Sequence, residues 1–185
     1  MAKELRTLYP ALNILFVDDN SPDGTGDFIH NLKAEDDNIH LLRRSEKNGL
    51  GSAYTAGFKW AKEQNVETII TMDCDFSHDP KDVKTLQSAL DSGDCDVAVG
   101  SRYIQGIRIL NWSFKRLLLS YMASLYSKGW LGLPIHDPTS GFNGYKLPVI
   151  TQYLDTCSVR FNGYVFQVLM KYFVWKKGYV VKEYP

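Results

Sequence analysis

Residues 67–80 read Glu67-Thr68-Ile69-Ile70-Thr71-Met72-Asp73-Cys74-Asp75-Phe76-Ser77-His78-Asp79-Pro80. The β-branched run from Thr68 to Thr71 predicts a buried strand that reaches Met72. A strand ending on two carboxylates one residue apart suits a core badly, because an unpaired buried charge is costly. It suits a divalent cation better. Hard ions such as Mg²⁺ take carboxylate oxygens, keep several waters and complete their shell with substrate phosphates. Alternate side chains of an extended chain share a face, so Asp73 and Asp75 can reach one ion. The same acids could instead occupy a surface turn and cap the helix that starts near Pro80, and a bare D-x-D does not separate the two readings.

Outward from this segment, strands alternate with helices. Asn13 to Val17 reads as a strand, Gly26 to Lys33 as a short helix and Ile39 to Leu42 as a second strand. Lys47-Asn48-Gly49-Leu50-Gly51 then leads into a helix reaching Gln64. Pro80, favoured at a first helical position, opens a helix to Leu90, and Asp96-Val97-Ala98-Val99-Gly100 is a further strand. Such alternation implies an α/β fold with a mostly parallel sheet, flanking helices and ligands at the carboxyl ends of the strands. Asp18, Asp19, Asp73, Asp75, Ser101 and Arg102 all fall at such ends. Beyond Arg102 the pattern changes. Residues 111–130 read as an amphipathic helix rich in aromatic residues, residues 133–142 as a loop punctuated by Pro and Gly, Tyr164 to Lys176 as a helix and Tyr179 to Tyr184 as a last strand.

A chain of 185 residues is expected to form a single domain over 1–185. With 44% hydrophobic and 13% aromatic residues it can fill a core, which excludes disorder. Its formal net charge of +0 and its lack of a long basic block exclude a nucleic-acid footprint. Cys74, Cys95 and Cys157 follow neither zinc nor disulfide spacing, so a reduced cytoplasmic setting is expected. No leader sequence is read at Met1-Ala2-Lys3-Glu4, and the uncharged run 117–127 is shorter than the about 20 residues a membrane span needs.

Several clusters carry chemistry. Val17-Asp18-Asp19-Asn20-Ser21-Pro22-Asp23-Gly24-Thr25 follows the first strand, where carboxylates can bind a nucleotide's base or ribose. A turn capped by Ser21 or Asp23 is the plainer alternative. The same strand is also compatible with a phosphoacceptor receiver domain in which Asp73 is phosphorylated. Arg102 can neutralise phosphate bidentately. Arg116 and Ser120, spaced i, i+4, share one helical face and can hold a single phosphate, which the apolar surroundings favour as a lipid phosphate. The 111–130 helix can lie in a membrane interface. His78 and His136 read as loop or capping residues, and Cys74 as a geometric rather than a reactive residue.

Together, VDDNSPDGT, GLGSAYTAG, MDCDFSHDP, VGSRY, NWSFKRLLLS and DPTSGF resemble the polyprenol-phosphate (dolichyl-phosphate) mannose synthases, inverting family 2 glycosyltransferases of GT-A fold. The resemblance spans residues 14 to 185. It implies a Rossmann-like GT-A sheet and transfer of mannose from GDP-mannose to a polyprenyl (dolichyl) monophosphate at the cytosolic face of a membrane. UDP-glucose is the alternative donor. It further implies that Val17 and Asp19 contact the nucleotide, that Asp73, Cys74 and Asp75 surround the sugar nucleotide, and that Asp73, Asp75 and Ser77 hold Mg²⁺ or Mn²⁺. Arg102, Arg116 and Ser120 would bind the acceptor phosphate or donor diphosphate, and Asp137 would lie beside the reacting carbon; Asp75, Asp137 and Arg116 are the residues expected to act in the reaction. Peripheral membrane contact through the 111–130 helix and a membrane-anchored partner subunit are also expected. The chain departs from the pattern at Asn143, where relatives usually carry Arg, and at Leu169, where many carry Glu. The family's first strand and its C-terminal basic segment are expected to be missing, which makes a catalytically inactive fragment the competing reading.

Overall fold

The computed structural model describes residues 1–104, 122, 124, 126, 128–156, 163 and 165–185. Helix α1 (Ala2–Leu8) precedes strand β1 (Ile14–Asp18), helix α2 (Thr25–Glu35) and strand β2 (Ile39–Arg43). Helix α3 (Leu50–Glu63), strand β3 (Thr68–Thr71), a 3₁₀ turn (Pro80–Asp82), helix α4 (Val83–Asp91) and strand β4 (Val97–Gly100) follow. Strand β5 (Asn143–Lys146), helix α5 (Leu147–Thr156), helix α6 (Val165–Lys176) and strand β6 (Val181–Tyr184) complete the described elements.

The strands form two sheets. β1 and β2 pair in parallel from Ile14↔Ile39 to Asp18↔Arg43. The second sheet has the order β3-β5-β4-β6. In it β4 and β6 are parallel, whereas β5 runs antiparallel to both β3 and β4. The α/β architecture and the strands read from hydrophobic runs are present, but β5 and α5 were not foreseen. Asn143-Gly144-Tyr145-Lys146 carries no β-branched run; it is a strand because two neighbours offer it hydrogen bonds. A cavity of about 530 Å³, lined by Phe16 and Val17 of β1 and by Ile69 and Ile70 of β3, separates the two sheets.

β4 divides the core. Its alternating side chains point to opposite faces. Val97 and Val99 join Phe58 of α3, Tyr145 of β5, Val149 and Ile150 of α5, and Phe166, Met170 and Val174 of α6. Ala98 joins Leu5 of α1 and Val83, Leu86, Ala89 and Leu90 of α4. Burying a side chain of this size contributes about 1.5–3 kcal/mol. Close approach across β4 and β5 demands glycine: a Cβ on Gly100 would lie 2.4 Å from the Phe142 ring, and one on Gly144 would lie 2.8 Å from Leu90. This packing seats Phe142, and with it the 137–141 segment, over the carboxyl end of β4.

Of the helix expected over 111–130, the described residues 122, 124, 126 and 128–130 are helical. Arg116, Ser120 and Cys157 lie outside the described residues. Among the described residues no helix is long and apolar enough to cross a membrane.

Candidate active site

Asp73 and Asp75 follow directly from β3. Neither caps the next helix: that task falls to Asp79, whose side chain accepts from Lys81 N at 2.9 Å. Asp75 Oδ1 instead accepts from Ser77, both from its backbone N at 3.0 Å and from its hydroxyl. These bonds from Ser77 hold the Asp75 carboxyl below its usual range, so it is ionised at neutral pH. Phe76 between them is left-handed, at φ 59°. Asn20 adopts φ 58° just after Asp18-Asp19, so each acidic pair ends in a residue in a costly backbone region.

Opposite Asp73 stands the 137–141 segment. A Cβ on Gly141 would come 3.2 Å from Asp73 Oδ2 and 3.4 Å from the Tyr54 hydroxyl, so the absent side chain is what lets this backbone approach the acid. The Gly141 carbonyl accepts from Thr71 Oγ1 at 3.0 Å and from Tyr54 OH at 3.4 Å. Burial, reinforced by the charge of Asp73, pushes the Tyr54 hydroxyl well above its usual range, leaving it a neutral donor.

Asp137 is fully buried and Arg102 nearly so. Arg102 donates from its backbone N to Asp137 Oδ2 at 3.0 Å, and from Nη2 to Thr139 Oγ1 at 2.7 Å. Burial alone would raise the Asp137 pKa, but the hydrogen bonds and charge of Arg102 outweigh it and bring it below the usual carboxylate range. Glu183 of β6 completes the arrangement by accepting from Asp137 N at 2.8 Å and His136 N at 2.7 Å.

The other expected residues are spread around this centre. Val17 sits on β1, its methyl lying 3.4 Å from where a Cβ on Gly57 would be. Asp19 is 3.0 Å from Arg44 Nη1. Cys74 is free; lost solvation and then the Asp73 charge raise the pKa of its thiol, which disfavours a thiolate. His78 is more central than a capping residue. Its ring stacks on Phe142 with centroids 5.1 Å apart and lies 4.0 Å from Asp73 Oδ2. Burial lowers its pKa against the pull of Asp73 and keeps the imidazole neutral. Sequence reasoning passed over Tyr54, Thr71, Thr139 and Glu183. Each gains its place from a partner more than thirty positions away, so no local signal marked them.

The profile of a family described as "Glycosyl transferase family 2" matches residues 2–154. The chain belongs to glycosyl transferase family 2. Within this family it is similar to a polyprenol monophosphomannose synthase of Mycolicibacterium smegmatis, at 41% identity over 95% of this chain and 66% of that protein. An undecaprenyl-phosphate mannosyltransferase of Micrococcus luteus is 38% identical over 98% of this chain and 73% of its own length. A dolichol-phosphate mannosyltransferase of Pyrococcus furiosus is 34% identical over 93% of this chain and 46% of its length. The chain thus spans roughly half to three quarters of the curated relatives it matches. Among solved structures, glucosyl-3-phosphoglycerate synthase from Mycobacterium tuberculosis, in complex with Mn²⁺, UDP-glucose and phosphoglyceric acid, superposes with a TM-score of 0.57. At 16% identity, covering 91% of this chain and 57% of that one, it shares the fold with this family 2 chain.

Among the described residues no group of three or more His, Cys, Asp or Glu side chains converges on one point. This is compatible with Mg²⁺ or Mn²⁺ held by two carboxylates, because such ions take their remaining ligands from water and phosphate. Asp73 and Asp75, with the Ser77 hydroxyl beside them and a glycine backbone opposite, offer hard oxygen donors of that kind.

Proposed function

We propose that this chain carries the site that transfers mannose from GDP-mannose to a polyprenyl monophosphate, with inversion and with a divalent cation. The observation that carries the reading is the approach of Asp73, two residues before Asp75, to the 137–141 segment that bears Asp137, the partner of Arg102. Similarity to three lipid-phosphate mannosyltransferases supports the choice of sugar and acceptor.

Asp73 and Asp75 would hold Mg²⁺ or Mn²⁺, with Ser77 fixing the Asp75 carboxylate. The cation supplies Lewis-acid stabilisation of the charge that develops on the departing diphosphate. Arg102, oriented by Asp137 and Thr139, presents a permanent positive charge for a phosphate. Val17, Asp19 and Cys74 border the donor side, and Arg116 with Ser120 would take the acceptor phosphate. That phosphate has a second pKa of about 6, so at neutral pH it attacks without a strong base. Tyr54 and His78, both neutral, shape and dry the site rather than take a proton. Attack from the face opposite the diphosphate inverts the anomeric centre.

Contact with a membrane is supported by Met122, Tyr126 and Trp130, which recur at helical spacing and are 56%, 65% and 78% exposed. Such a face can rest in the headgroup region on the cytosolic side.

The test is a transfer assay in which GDP-mannose and UDP-glucose compete for a polyprenyl phosphate in the presence of Mn²⁺. Turnover of GDP-mannose supports the reading; indifference to both donors sinks it.

A further inference from the structure

The buried side of α6 carries a charge among apolar neighbours. Phe166, Met170 and Val174 fill the core, and Lys171 is equally buried, at 0% exposure. Its Nζ donates to the Ser140 carbonyl at 2.8 Å and lies 3.5 Å from Gln167 Oε1. Asn143 Nδ2 donates to the same carbonyl at 3.0 Å. Ser140 stands between Asp137, which orients Arg102, and Gly141, which backs Asp73. Burying an ammonium is expensive, and a methionine of similar length would fill the space without that cost. The charge therefore answers to what it faces.

We propose that Lys171 is a positioning residue: its ammonium ties Ser140 to α6 and thereby sets where the Asp137–Arg102 pair stands relative to Asp73. The catalytic consequence rests on the transfer reading above; the geometric claim does not.

The charged groups around the amine come from every neighbouring element. Asp137 of the 137–141 segment and Glu183 of β6 attract it, and Arg102 after β4 repels it; His136 is engaged with Glu183. Desolvation dominates and brings the amine down to about 7. A charged donor makes a hydrogen bond roughly twice as strong as a neutral one. Below that pH the ammonium holds Ser140 firmly, and above it the neutral amine holds it less well.

The experiment compares wild type with Lys171→Met. In the transfer assay, wild-type kcat/KM should fall about tenfold from pH 6.5 to pH 8.5, following loss of the proton. The variant should start lower and show no such limb, with kcat reduced more than the donor KM is raised. Across the same range, hydrogen-exchange protection of the Ser140 and Phe142 amides should fall in wild type alone. Wild-type values of kcat and of Ser140 and Phe142 protection in Lys171→Met, or the same limb in the variant, overturn the proposal. If wild type turns over no donor, it is the transfer reading that fails, and exchange together with ¹³Cε-lysine NMR decides on Lys171. A lysine resonance that titrates at lower pH in Asp137→Asn than in wild type supports the proposal; one unmoved by that change overturns it. The same two titrations decide if Lys171→Met does not fold.

Discussion

Arg102 meets Asp137 with both prongs of its guanidinium, Nε donating to Oδ2 and Nη2 to Oδ1, each at 2.7 Å. The two residues lie 35 positions apart, yet each decides the state of the other. Arg102→Met would leave a buried carboxylate without its main partner, and breaking such a pair costs about 3–5 kcal/mol. The sign with pH follows from the lowered Asp137 pKa. Its contribution is present above the unfolded value of 3.8 and is lost as pH falls through the lower folded value. Urea unfolding at pH 7 should therefore show the full deficit, and the gap to wild type should narrow in acid below about pH 4. An equal gap at both pH values would contradict this account.

Asp75 is exposed, and among the described residues its hydrogen bonds are local, to Ser77. Asp75→Asn should abolish Mn²⁺-dependent GDP binding in calorimetry while stability stays within about 0.5 kcal/mol of wild type, as at ordinary surface sites. Metal-dependent binding that survives the change would remove Asp75 from the site.

Gly141→Ala tests the approach of the 137–141 segment to Asp73. Its methyl would crowd Asp73 Oδ2 at 3.2 Å, and displacing the surroundings of a metal ligand typically costs about 10–100-fold in affinity. Mn²⁺ affinity measured by titration should fall within that range, with the far-ultraviolet spectrum unchanged. Affinity equal to wild type would show that the segment and the acid move independently.

Tyr126 and Trp130 stack with centroids 5.8 Å apart on an exposed face. Replacing both by Ser should weaken flotation with anionic phospholipid vesicles by about tenfold or more, since burying one such side chain is worth about 1.5–3 kcal/mol. Binding of GDP with Mn²⁺ should be unaltered. Undiminished flotation would place the membrane contact elsewhere.

The strand ends were legible because their signals are local. Runs such as Ile14-Leu15-Phe16-Val17 and Val97-Ala98-Val99 specify strands, and acids or an arginine just beyond them mark strand ends as candidate sites. β5 escaped notice because its four residues lack any strand signature and gain their register from β3 and β4. Lys171 escaped for the opposite reason: on an aromatic-rich helix a lysine reads as a solvated residue, and nothing nearby in the chain announces a carbonyl 31 positions earlier.

From its order of residues alone this protein is an α/β chain with paired acids at strand ends, a guanidinium at another, and a motif set that marks a sugar-transfer family. Tertiary structure decided which charges became partners: Arg102 with Asp137, Glu183 beneath the 137–141 segment and Lys171 behind it. The division is physical. Periodicity and turn chemistry act over a few residues, whereas a buried charge must be matched by whatever group packing brings beside it, however distant in the chain.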